Sequence, residues 1–152
     1  MKNFILIIAV LIGSITIAHA QVQPVDENGL AIGGYDVVAY FSNNAEKGST
    51  RYTATYEDAT YQFVNAKNRD AFKKNPTMYL PQFDGYCAWG VAAKDSKFPI
   101  NPETFDVIDG KLYLFFNGDF GGEAFNTAPL WNAETSKLKA AAHAKWPSVK
   151  TK

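Results

Sequence analysis

Cys87 is the sole cysteine of the 152-residue chain and stands within Gly85-Tyr86-Cys87-Ala88-Trp89-Gly90. A thiol with no second cysteine cannot close an internal disulfide, so it either packs as a small apolar group or reacts. Nucleophilic or redox chemistry needs a thiolate, favoured by a cation, a metal or the start of a helix. The neighbouring Tyr86, Ala88, Trp89 and Asp84 supply no cation. A helix beginning near Cys87 would instead turn backbone N–H groups toward the sulfur. A sulfenic acid here would have no resolving cysteine, so turnover would need an external thiol. Packing, redox chemistry and metal ligation stand as three readings, and a fully buried, unreactive thiol would remove the second.

For metal chemistry the other donors are sparse. Beyond residue 20 the chain has one histidine, His143, and no pair of Cys and His at the short spacings of a zinc site. A soft ion such as Cu(I) could use Cys87 with Met78 or His143. His143 falls near the end of an expected helix, where its ordinary role is solvent-facing, and Met78 ordinarily belongs to a core. Asp36 lies in the apolar run 35–41 and needs hydrogen bonds there, either as an Asx-type turn or as a ligand near Cys87. Tyr40, Tyr61, Tyr79, Tyr86 and Trp89 are candidate pocket walls. No Ser/His/Asp set, carboxylate pair or phosphate loop stands out, so an enzyme is the less favoured expectation.

The first 20 residues have the three parts of an export signal. Lys2 precedes an apolar stretch of 14 residues, Phe4 to Ile17, and Ala18-His19-Ala20 has the A-x-A form of a cleavage site. That stretch is shorter than the roughly 20 residues that span a bilayer. The expectation is a periplasmic or secreted protein with no membrane span after cleavage. The remaining 132 residues carry 14 basic and 15 acidic side chains, a net charge of −1. No basic stripe appears, which argues against nucleic acid as a partner.

These residues need elements to position them. Residues 21–33 read as an irregular lead-in, and 35–41 as either a strand or a helical turn. Residues 51–56 and 60–64 are rich in Tyr, Thr and Val and predict a hairpin about Glu57-Asp58-Ala59. Asn65 suits the N-cap of a helix over 66–74, which Asn75-Pro76 should end. Residues 105–108 and 111–116 flank Asp109-Gly110, the signature of a tight hairpin turn. Gly118, Gly121 and Gly122 predict a loop. A final helix over 132–145 would start at Asn132, bury Leu138, Ala141 and Ala142, and close at Pro147. The fold class is α+β, an antiparallel sheet from two hairpins with short helices packed on it.

Several of these segments together resemble a known family. Tyr61-Gln62-Phe63, Arg69-Asp70-Ala71-Phe72, Asn75-Pro76 and Tyr79-Leu80 are similar to the core of the YHS domain. Residues 34–41, 85–90 and 109–114 and the closing Ala144-Lys145-Trp146-Pro147 resemble its exported bacterial subgroup. The likeness spans residues 34–147, with 148–152 as a tail. It implies kinship with small metal-binding modules of the TRASH type, some of them associated with copper. Those modules carry Phe-Cys-Ser-x-x-Cys after the second hairpin strand; here Val64, Asn65 and Asn68 follow Phe63, so both cysteine positions are lost. The subgroup is also similar to YHS selenoproteins, in which selenocysteine takes the place that Cys87 holds here.

The leading expectation is an exported, non-catalytic YHS-like binding module, with Cys87 in an aromatic pocket and in contact with copper or a small ligand. Its candidate residues are Cys87, Asp36, Tyr86, Trp89, Met78 and His143. The alternatives are a thiol redox protein using Cys87 and an interaction module meeting another envelope protein.

Overall fold

The computed structural model describes residues 21–152, and the expected export signal lies outside them. One antiparallel hairpin precedes the first three α-helices, and two consecutive hairpins separate these from the last two. Strand β1 (Ser49–Tyr56) pairs with β2 (Ala59–Phe63), β3 (Asn101–Ile108) with β4 (Lys111–Phe115), and β5 (Asn117–Phe120) with β6 (Glu123–Asn126). The helices are α1 (Ala66–Lys74), α2 (Pro76–Tyr79), α3 (Ala88–Lys94), α4 (Ala128–Ala133) and α5 (Thr135–Val149). The chain is α+β, as its residue pattern predicts. Its hairpins form separate two-stranded ladders.

All three hairpins close through two residues with positive φ, the geometry that matches strand twist. Asp109 and Gly110 have φ of 52° and 68°, as the sequence predicts. Glu57 and Asp58 have φ of 46° and 63°, which leaves Ala59 to open β2 and not to finish a turn. The third hairpin occupies the predicted loop, with Gly121 and Gly122 as its turn. Gly48, at the foot of β1, lies so close to β2 that a Cβ would overlap the backbone of Gln62 and Phe63.

Helix α1 starts where Asn65 accepts a hydrogen bond from Asn68 N at 2.9 Å and gives way at Asn75 to α2, with Pro76 in its first turn. The predicted terminal helix is two helices, interrupted at Glu134, so Asn132 lies inside α4 and caps nothing. Helix α5 also continues through Pro147 to Val149. A mid-helix proline costs about 3 kcal/mol. Pro147 falls in the last turn of α5, where Val149 is buried and Trp146 packs on Phe83 with ring centroids 5.7 Å apart. The run 35–41 leads into a 3₁₀ turn over Ala39–Ser42, and the lead-in is stitched down by bridges from Val22 to Ile100 and from Leu30 to Thr60.

Strand β4 organises the interior. Successive side chains on a strand point to opposite faces. Leu112 and Leu114 join one cluster with Ile32, Val37, Tyr40, Phe63 and Phe72, while Tyr113 and Phe115 join another with Phe83, Val91, Trp131 and Val149. The strand is buried on both faces, and α3 begins beside it with Cys87 in the first cluster and Ala88 in the second.

Candidate functional site

Cys87 is the residue before α3, and its carbonyl accepts the helix's first hydrogen bond, from Val91 N at 3.1 Å. The helix start foreseen as an activating feature is therefore present. It is a short helix of seven residues, however, and the side chain makes no cap hydrogen bond. Cys87 has no exposed surface. Its sulfur lies 3.3 Å from Thr127 Oγ1, and its backbone N–H donates to Phe98 O at 3.1 Å. Thr127, equally buried, also accepts from Phe116 N at 3.1 Å and donates to Phe116 O at 3.0 Å. No sequence signal singles out Thr127; it becomes visible only when α4 and β4 meet over the thiol.

Asp36 is buried and fully engaged. Oδ1 accepts from Val38 N at 2.8 Å and Ala39 N at 3.2 Å, and Oδ2 from Val64 N at 2.9 Å and Asn68 Nδ2 at 2.7 Å. It is the Asx-type turn expected, extended into a clasp between the 3₁₀ turn, β2 and α1. Four bonds satisfy the roughly four acceptor positions of a carboxylate, which leaves none for a metal.

The other predicted candidates disperse. Met78 is 51% exposed on α2, against its expected place in the core. A four-residue helix at the edge of the fold offers it no facing layer. His143 is exposed, as expected on that face of α5, where its ring lies 5.0 Å from Phe83 and Nε2 is 3.3 Å from Tyr113 Oη. Tyr86 turns toward Trp146, at 6.5 Å, and Trp89 turns toward Phe125, at 5.6 Å. No group of three or more His, Cys, Asp or Glu side chains able to hold a metal occurs among the described residues. Of the soft-metal set drawn from the sequence, Cys87 is buried against Thr127, whereas Met78 and His143 stand exposed.

Nor do the five predicted rings enclose one pocket. Tyr40 donates its hydroxyl to Pro102 O at 2.7 Å, and Tyr79 packs edge-on against Phe41. Burial first, then the charges of Tyr35, Asp36 and Glu103, holds the Tyr40 phenol far above its ordinary pKa. Two separate concavities carry the remaining rings. Trp89 lines an open groove of about 570 Å³ with Phe98, Phe120, Phe125 and Leu130, and Lys94 at its rim. Tyr61 lines a smaller cavity of about 140 Å³ with Tyr56, Glu57 and Asp84.

The groove was hidden from sequence reasoning because two of its rings, Phe120 and Phe125, stand on the third hairpin. The alternation Asp119-Phe120 and Ala124-Phe125 about Gly121-Gly122 is a hairpin signal of the two-glycine kind. Phe120 and Phe125 lie 5.9 Å apart on it, and Phe98 is 6.3 Å from Phe120. Lys94 Nζ lies 5.5 Å over the Trp89 ring, the range of a cation–π contact. No carboxylate among the described residues pairs with that ammonium.

No family model, no curated protein and no solved structure matches the chain.

Proposed function

We propose that this chain is an exported, non-catalytic binding module of the YHS-like kind that takes a small apolar ligand with one anionic group in the Trp89–Phe125 groove. The observation that carries the reading is the groove itself. Phe120 and Leu130 stand exposed at 61% and 42% beside Trp89, Phe98 and Phe125, while the Lys94 ammonium, with no carboxylate partner among the described residues, lies at the rim. Its volume falls within the range of small-molecule sites, roughly 300–1,000 Å³. A flexible acyl or aryl carboxylate matches both halves of that chemistry: its body covers apolar surface and its charge meets Lys94.

Three further observations support the reading. The signal-like pattern of residues 1–20 favours export to a periplasm or the exterior. The YHS-like motifs span most of the remaining chain. Cys87 is enclosed and Asp36 is saturated, so neither of these two candidates offers a free nucleophile or base. Soft-metal contact through Cys87 is not retained, because its sulfur is enclosed and already bonded to Thr127.

The test is a titration of the processed protein with octanoate, followed by tryptophan fluorescence, with octanol as the uncharged arm. The expected result is a saturable change with octanoate that Phe125→Ala abolishes and Lys94→Gln reduces to the level of octanol. Equal affinity for both compounds in the native protein would refute the anionic ligand. No saturable change with either would refute the groove as a small-molecule site, and an envelope protein captured through Phe120 and Leu130 would then take its place.

A further inference from the structure

The second cavity carries chemistry of the opposite sign. Tyr61 is only 8% exposed, yet its hydroxyl makes no hydrogen bond among the described residues. The hydroxyl is not sealed in the core but opens into the cavity, where a ligand entering from solvent can reach it. The groups whose charges act on that hydroxyl are Glu57, Tyr56 and Asp84, and all three line the same cavity. Together with burial, the largest cause, they push the Tyr61 phenol up to about 12. It therefore stays a neutral donor and acceptor in a negative field.

The carboxylates are held there by unusual backbone. Glu57 sits in the β1–β2 turn at φ 46°, and Asp84 follows Phe83 in a 3₁₀ turn at φ 50° and 57°. Left-handed conformations at non-glycine residues cost roughly 1–2 kcal/mol each. Asp84 Oδ2 pairs with Lys150 at 2.9 Å, whereas Glu57 has no cationic partner among the described residues. One negative charge is thus left over at the mouth. The rest of the wall is apolar: Pro24, Val25, Ile32, Leu80 and Pro81. Gly85 packs tightly behind it, since a Cβ there would come within 3.0 Å of both Ile32 and Pro24.

We propose that this cavity binds a small organic ammonium ion, its N–H groups directed to Tyr61 Oη and Glu57 and its alkyl part against the proline and aliphatic wall. A cavity of about 140 Å³ matches the roughly 150 Å³ that takes a ring of six carbons, so the alkyl part has about four to six carbons. A calcium-like ion would need six to eight oxygen ligands and could not use the apolar wall. This site is independent of the groove and of Lys94.

The experiment is a calorimetric and NMR titration of the processed protein with n-butylammonium, alongside n-butanol and calcium chloride. Saturable binding of n-butylammonium is expected, with neither control competing. Tyr61→Phe keeps the ring and removes only the hydroxyl, so the fold is retained and affinity should drop about tenfold, the equivalent of one hydrogen bond. Glu57→Gln should weaken binding at least as much, and Lys94→Gln should leave it unchanged. Equal binding of butanol would reduce the site to an apolar cavity, and displacement by calcium would make it a metal site. Butylammonium affinity unchanged by both Tyr61→Phe and Glu57→Gln would place the ligand elsewhere. Each of these three results overturns the proposal. Loss of octanoate binding has no bearing on it.

Discussion

The Cys87 sulfur and the Thr127 hydroxyl, 3.3 Å apart and 40 residues distant in sequence, form a bond whose direction is fixed by proton count. Thr127 Oγ1 gives its single hydrogen to Phe116 O and accepts from Phe116 N. One lone pair remains, and the S–H proton of Cys87 points to it. The thiol is a donor in a three-way junction between α3, α4 and the end of β4.

Native Cys87 should therefore resist iodoacetamide at neutral pH and react only as fast as the protein unfolds. Alkylation kinetics in low and high urea measure this. Modification of the folded protein at a rate independent of unfolding would return the thiol to a chemical role.

Replacing Thr127 by valine keeps the volume and removes the hydroxyl. Phe116 N–H and Cys87 S–H are then left without their acceptor, at a cost of about 1–3 kcal/mol. Urea denaturation should show that loss, with little change in the denaturant slope if the junction is purely structural.

Asp36→Ala orphans the N–H groups of Val38 and Val64 and the amide of Asn68 in partly buried surroundings. The expected loss is about 3 kcal/mol or more, from at least 1 kcal/mol for each orphaned donor. Asp36→Asn should fall between, because its NH₂ group faces donors where Oδ2 accepted. A change below 1 kcal/mol by thermal or urea unfolding would contradict the clasp.

Alkaline pH tests the buried phenols. Tyr61 ionises near about 12 when folded and near its ordinary value of 10.0 when unfolded. Its burial therefore contributes stability that is whole below pH 10 and disappears as pH rises through about 12. Tyr40, raised further by burial, acts in the same direction. The urea midpoint should fall above pH 10, less steeply in Tyr61→Phe, and phenolate absorbance should show both rings titrating late.

Two glycines separate conformational from steric cost. Gly110 has φ 68° and open space where a Cβ would stand, so Gly110→Ala should cost only about 1–2 kcal/mol, the penalty of a left-handed alanine. Gly48→Ala would drive a methyl group into the β2 backbone and should cost more. Equal stability losses would show that β1 can move off β2.

Local signals carried much of the fold. Asn65, Asn75-Pro76 and Asp109-Gly110 state their roles through side-chain or backbone chemistry that acts within a few residues, and the structure has each as read. The turn at Glu57-Asp58 lacks the usual glycine, which shifted Ala59 out of its strand. Pro147 reads as a stop because the gain from burying Val149 depends on packing with distant elements. The site was less legible for the same reason. Asp36 shows its need for partners in sequence, but not that all four would be backbone or amide donors. Trp89 and Tyr61 are among the rings expected to line a pocket, yet they face two different concavities, and the third hairpin decides what Trp89 meets.

The last residues tie down earlier parts of the chain: Lys150 Nζ reaches Asp84, Lys97 Nζ reaches Lys150 O at 2.9 Å, and Lys152 Nζ reaches Asp95 O at 3.1 Å. Val149 belongs to the cluster of Phe83, Val91 and Trp131, so a variant ending at Ser148 opens that cluster to solvent and should be cut by proteases faster than the full chain.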